Sequence, residues 1–236
     1  MDAISDWRSA FPLQTARAAS DALLEAWYDL ASPPCSWFNE KTREPVLTKK
    51  LKTYVQRHVA RQRGLLGMWA AENVIGELDT TTGRFDERRT DIVYGWNDEA
   101  RGFELVFEFK RLGRQKRHRD HYLGERGLAR FVTGGYSRGQ AIAAMVGVLL
   151  APARDVIPPL QAALADQRTA TSLRLRRSST DRPYTEPSTF SPNAMFDTEH
   201  DRDQDVAPPH GYITVAHFFV GFGSEGPSGP AVGMLG

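Results

Sequence analysis

The sequence predicts an α/β fold, a mixed central β-sheet flanked by helices. Three observations point there: residues 91–110 alternate like a β-hairpin, apolar repeats of three and four residues stand before and after it, and a β-like apolar run occupies 212–220. The chain has 236 residues, 41% of them hydrophobic, enough for one sizeable core and not comfortably for two. A single domain over residues 1–222 is therefore expected.

Residues 14–30 carry Ala16, Leu23, Leu24, Trp27 and Leu30 at mostly helical spacing until Ser32-Pro33-Pro34 breaks the run. A second helix is expected over 42–62, where Leu47, Leu51, Tyr54, Val55 and His58 share a stripe and Pro45 falls in the tolerant first turn. Residues 66–78 read as a strand that returns through Thr81-Thr82-Gly83 toward Asp91, giving an antiparallel meander. In the hairpin itself, Asp91-Ile92-Val93-Tyr94 and the segment from Phe103 to Lys110 have the β-branched and aromatic content of strands, and Asn97, Asp98 and Gly102 supply turn chemistry. Downstream, 122–132 reads as a helix stopping at Gly134-Gly135, and Ser137 can cap another in which Ile142, Met145, Val146 and Leu149 repeat at helical spacing. Pro158-Pro159 opens a short helix to Ala165, and residues 172–175 are strand-like. Residues 177–210, rich in Ser, Thr, Pro and Asp, are expected to form a long loop or lid, 212–220 the last strand, and 223–236 a disordered tail.

The hairpin carries the chemistry. If Trp96 faces Phe103, then Ile92, Tyr94 and Trp96 stand opposite Phe107, Leu105 and Phe103 on one apolar face, and Asp91 stands opposite Glu108. Strand alternation adds Lys110 to the polar face and turns Phe109 into the core. Two carboxylates roughly 4.5 to 5.5 Å apart at Cβ repel unless a cation sits between them, and a divalent metal is the natural occupant.

This D-x16-E-x-K pattern resembles the PD-(D/E)xK nuclease superfamily, the restriction-endonuclease-like enzymes. The resemblance extends to Arg89-Thr90-Asp91-Ile92, to Phe107-Glu108-Phe109-Lys110-Arg111-Leu112, and to Gly127-Leu128-Ala129-Arg130-Phe131-Val132 with Tyr136 beyond. It looks like the core of compact bacterial members, many associated with defence against foreign DNA, and implies a core at residues 40–150; Thr90 stands where Pro is usual. It implies a restriction-endonuclease-like sheet and Mg²⁺, with Mn²⁺ as a substitute, held by Asp91, Glu108 and the Phe109 carbonyl; Lys110 would orient or help deprotonate the attacking water. In such enzymes an acid from the preceding helix often completes the site. Glu44 matches that place best, Glu40 competes, and Glu72 or Glu77 could approach from the neighbouring strand. Compensation of the helix dipole is the other reading of Glu44.

Net charge is +1, so no global polyanion-binding signature exists. Locally, Arg111, Arg114, Lys116, Arg117 and Arg119 crowd together without an acid directly after E-x-K, where they would track a nucleic-acid backbone or form a solvated face. Tyr122, Arg126, Arg130 and Arg138 would extend that groove or fill surface. Gln140 would contact a phosphate or water from the following helix, or face solvent. The Asp-rich stretch from Asp197 to His210 reads as solvation, His118 and His121 lack a C-x-x-C partner for zinc, and Cys35 lacks a paired base. No Walker-type loop or dinucleotide fingerprint is present. One cysteine excludes an internal disulfide, and neither a signal peptide nor a membrane-length apolar run is seen, so a cytoplasmic protein is expected. The expected activity is metal-dependent DNA cleavage as an anti-phage effector, partnered by DNA and by a defence-system protein or a second copy, with no membrane. Alternatives are a catalytically silent nucleic-acid-binding or assembly module, and an RNA-directed nuclease.

Overall fold

A computed structural model describes residues 12–32, 35–78, 85–98, 101–178 and 181–223; residues 73–78, 85–88, 97–98 and 101 are described by backbone alone. The expected tail, apart from Gly223, and the Thr81-Thr82-Gly83 return lie outside these residues. The chain forms a mixed six-stranded sheet flanked by helices, as the sequence predicts.

Helix α1 (Leu13–Ala31) and helix α2 (Glu44–Tyr54, continued by a π turn Val55–Val59 and a last turn Ala60–Gln62) precede the meander β1 (Met68–Leu78), β2 (Phe85–Asp98) and β3 (Arg101–Leu112). Helices α3 (Lys116–Leu123) and α4 (Leu128–Val132) lead to β4 (Ile142–Leu149); α5 (Ala153–Ala165), α6 (Gln167–Ser172), β5 (Phe196–Asp201) and β6 (Tyr212–Val220) follow. Strand order is β1-β2-β3-β4-β6-β5, with β3, β4 and β6 mutually parallel and the other neighbours antiparallel.

Both sheet faces are covered. On one, Trp27 of α1 and Leu47 and Leu51 of α2 bury Ile92, Tyr94, Leu105, Phe107, Phe109, Val146 and Phe218. On the other, Tyr122, Phe131, Leu160 and Leu164 bury Val93, Val106, Met145, Ile213 and Val215. Each large side chain so buried contributes about 1.5–3 kcal/mol, which is why residues of both parities along β4 are apolar.

That double burial explains the main departure from the sequence reading. The expected helix through Ile142, Met145, Val146 and Leu149 is strand β4, central in the sheet and buried on both sides. A doubly buried strand is a continuous apolar run, and such a run also satisfies a three-and-four repeat. Helix α5 begins at Ala153, not at Pro158, because Val156 and Ile157 bury with Leu160 and Leu164 and offset hydrogen bonds lost at the two prolines. Residues 172–175 supply only a bridge from Leu175 to His200. The expected loop or lid at 177–210 contains edge strand β5, and its residues 188–190 are tied down by Asp197, which accepts from Ser188 Oγ (2.6 Å) and from the Thr189 (2.6 Å) and Phe190 (3.1 Å) amides. Three exposed acids of that segment are paired: Asp201 with Arg176, Asp203 with Arg174 and Asp205 with Arg138. Among the described residues no helix is long and apolar enough to cross a membrane.

Candidate active site

The β2–β3 ladder pairs Trp96 with Phe103, Tyr94 with Leu105 and Ile92 with Phe107, the register read from the sequence. It stops there, so the expected pairing of Asp91 with Glu108 is not formed, while on its other edge β3 runs on from Phe107 to Leu112 as the parallel partner of β4. Across β2's other edge the pairing skips Glu72, which adopts a left-handed φ of +49° between the Ala71–Ile92 and Asn73–Thr90 pairs. Asp91 thus lies where both ladders are interrupted. Its carboxylate accepts the Phe109 amide at 2.8 Å, so a side chain satisfies a backbone donor that the parting strands leave open.

Lys110 stands at the centre. Its Nζ lies 2.8 Å from Glu108 Oε1, 3.4 Å from Glu44 Oε1 and 3.7 Å from Asp91 Oδ2, and it donates to the Phe109 carbonyl at 2.7 Å. Glu108 is 2% exposed and its Oε2 has no partner. Asp91 and Glu44 retain 20% and 25% side-chain exposure, so the site opens to solvent on their side.

Electrostatics follow from this crowding. Burial, reinforced by the Asp91 charge, pushes the Glu108 carboxyl up to about 8. Burial also raises Asp91 and Glu44, against the pull of Lys110. Burial alone would lower Lys110, but Glu108, Asp91 and Glu44 outweigh it and hold the amine well above its ordinary value as an ammonium.

Helix α2 delivers Glu44 from its first turn. Arg111 fixes that entry by donating to the Glu40 carbonyl and, at 3.1 Å, to the Thr42 carbonyl. Of the competing acids, Glu40 therefore contributes its backbone to Arg111, and Glu72 pairs with Lys49 at 2.5 Å. The Glu77 side chain lies outside the described residues.

The other expected contacts are dispersed. Arg111 is a brace for the α2 entry. Arg114 pairs with Asp155 at 2.7 Å and Lys116 with Asp120 at 2.8 Å, both on exposed surface, and Arg117 is exposed while Arg119 is half-buried. Gln140 lies in the turn before β4, since the expected helix is absent, and accepts weakly from the Glu104 amide at 3.4 Å, four residues from Glu108 along β3. Tyr122 is fully buried, which removes it from any groove.

One pair was not legible as a functional unit in the sequence. Tyr136, buried, donates its hydroxyl proton to the Arg89 carbonyl, two residues before Asp91, and accepts from Arg130. The only signal was the position of Arg130 and Tyr136 within the stretch that follows E-x-K.

Three carboxylates and the Phe109 carbonyl form a hard oxygen donor set of the kind that suits Mg²⁺ or Mn²⁺, and the orphaned Glu108 Oε2 leaves one such donor unused. Among the described residues no three His, Cys, Asp or Glu side chains are gathered as a ligand group; the Lys110 ammonium contacts each of the three carboxylates. No protein-family model, curated protein or solved structure matches the chain.

Proposed function

We propose that the chain is a Mg²⁺-dependent endonuclease that hydrolyses phosphodiester bonds of DNA, acting in the bacterial cytoplasm as an effector of anti-phage defence. The observation that carries the chemical reading is the gathering of Asp91, Glu108 and Glu44 around Lys110 where β2 and β3 part. The defence role rests on the resemblance to compact PD-(D/E)xK proteins, and the cytoplasmic setting on the single cysteine.

Asp91, Glu108, Glu44 and the Phe109 carbonyl would hold the cation, which when bound supplies positive charge beside the phosphate and acidifies a water. The residues themselves divide the remaining work. The Phe109 amide fixes the Asp91 carboxylate, and Arg111 fixes the helix entry that aims Glu44. Lys110, held as an ammonium, orients the attacking water and donates to developing negative charge; as it stands it has no lone pair with which to take the water's proton.

Incubating the protein with labelled DNA and RNA side by side, in Mg²⁺, Mn²⁺ or EDTA, tests this. DNA cleavage in both metals and none in EDTA is expected. Binding without cleavage would select the silent module instead, and cleavage of RNA alone would select the RNA-directed enzyme.

A further inference from the structure

Arg130 is fixed more firmly than a surface arginine. Its Nε donates to the Glu125 carbonyl at 3.1 Å, its Nη1 donates to the Tyr136 hydroxyl, and its guanidinium lies over the Tyr136 ring at 5.0 Å. Among the described residues it forms no ion pair, and its Nη2 has no protein partner. Through Tyr136 it is joined to the Arg89 carbonyl, two residues from Asp91 along β2, where its charge favours the ionised forms of Asp91 and Glu108.

The support continues behind it. Tyr136 is anchored to β2 through the Arg89 carbonyl, and Arg202, only 7% exposed, donates to the Tyr136 and Ser137 carbonyls at 2.9 and 2.8 Å. Arg202 has no carboxylate partner among the described residues, and its Nε is unpartnered. A buried guanidinium so poorly compensated is costly, and what it secures is the loop that sets Tyr136 and hence Arg130. A preorganised cation with spare donors, beside the carboxylates but not bonded to them, suits an anion that reaches both.

Building on the nuclease reading, we infer that Arg130 binds a non-bridging oxygen of the scissile phosphate, with Tyr136 as its positioning residue. The planar fork matters as well as the charge, so lysine is a poor replacement.

The test uses Arg130→Met, Arg130→Lys and Tyr136→Phe, with single-turnover cleavage of a labelled duplex and binding of that duplex in EDTA across several salt concentrations. Arg130→Met should lower the cleavage rate by about 100-fold and reduce the salt slope of binding by about one, while calorimetric Mn²⁺ affinity is unchanged or tighter. Arg130→Lys should restore the slope but not the rate, and Tyr136→Phe should lower the rate with the slope kept. Wild-type rate and slope in folded Arg130→Met would overturn the inference. Should the wild-type protein cleave nothing, the nuclease reading fails by itself; the slope then decides alone, a loss in Arg130→Met sustaining the phosphate contact and an unchanged slope overturning it.

Discussion

The carboxylate of Asp91 accepts the backbone amide of Phe109 at 2.8 Å across the point where β2 and β3 separate. One residue thereby caps the sheet and faces the site. Asp91→Asn keeps an oxygen for that amide, whereas Asp91→Ala leaves the donor unpaired at a cost of about 1–3 kcal/mol. Urea unfolding should show Asp91→Ala less stable than Asp91→Asn by that order; equal stabilities would show that the amide finds another acceptor.

Lys110 is the counter-ion of three carboxylates in the metal-free chain. Lys110→Met removes the charge and keeps much of the stem, so the metal-free protein should lose stability and recover it on adding Mn²⁺, with a larger rise in Tm than in wild type. Mn²⁺ affinity should survive or rise while cleavage falls sharply. A variant with normal metal binding and a normal rate would leave the site resting on the carboxylates alone.

The basic surface is partly self-neutralised, since Arg114 and Lys116 pair with Asp155 and Asp120. Exposed pairs are weak and open readily toward a phosphate. Neutralising Arg114, Lys116 and Arg117 together should weaken binding to all DNA sequences similarly and flatten its salt dependence. Unchanged affinity across salt concentrations would make this surface a solvated face.

A buried chain of neutral groups sets an acid limit on stability. The Leu173 carbonyl can only accept, so His200 Nδ1 donates to it (2.7 Å); His200 Nε2 then accepts from Thr198, Thr198 accepts from His217 Nε2 (both 2.8 Å), and His217 Nδ1 accepts from Tyr122 (2.9 Å). Burial lowers His200 to about 4 and His217 well below its ordinary value. The unfolded chain takes up these protons near pH 6.5 and the folded chain does not, so this stability is full above that pH and is lost as pH falls toward 4, by about 3 kcal/mol for His200. Glu108, raised in the fold, titrates in the opposite sense, so the comparison with His200→Gln isolates the histidine: the variant's urea midpoint should fall less between pH 7 and 5. Parallel curves would mean that His200 is not neutral in the fold.

Legibility in the sequence followed the range of the interactions. The hairpin register was readable because a local turn and a period of two fix which side chains share a face, and Asp91, Glu108 and Lys110 came with it. Glu44 was suggested only by the resemblance, which expects an acid on the helix before the meander, and tertiary packing is what sets it beside Lys110 while Glu40 and Glu72 meet Arg111 and Lys49. Strand β4 was hidden because burial on both faces erases alternation. Arg111 read as a groove residue because a charge run does not disclose that one member turns inward to the Glu40 and Thr42 carbonyls. The Tyr136 brace joins residues 47 positions apart and has no local signature.

Asp91 and Glu108 are the carboxylates on which the proposed cleavage depends, and the most direct measurement is plasmid cleavage in Mg²⁺ by the Asp91→Asn/Glu108→Gln double variant beside wild type. Both substitutions keep side-chain size and one acceptor oxygen, and circular dichroism with a thermal melt confirms the fold of each preparation. Cleavage by wild type, its abolition in EDTA and no cleavage by the folded double variant is the expected result. Wild-type turnover by that folded variant would contradict the account.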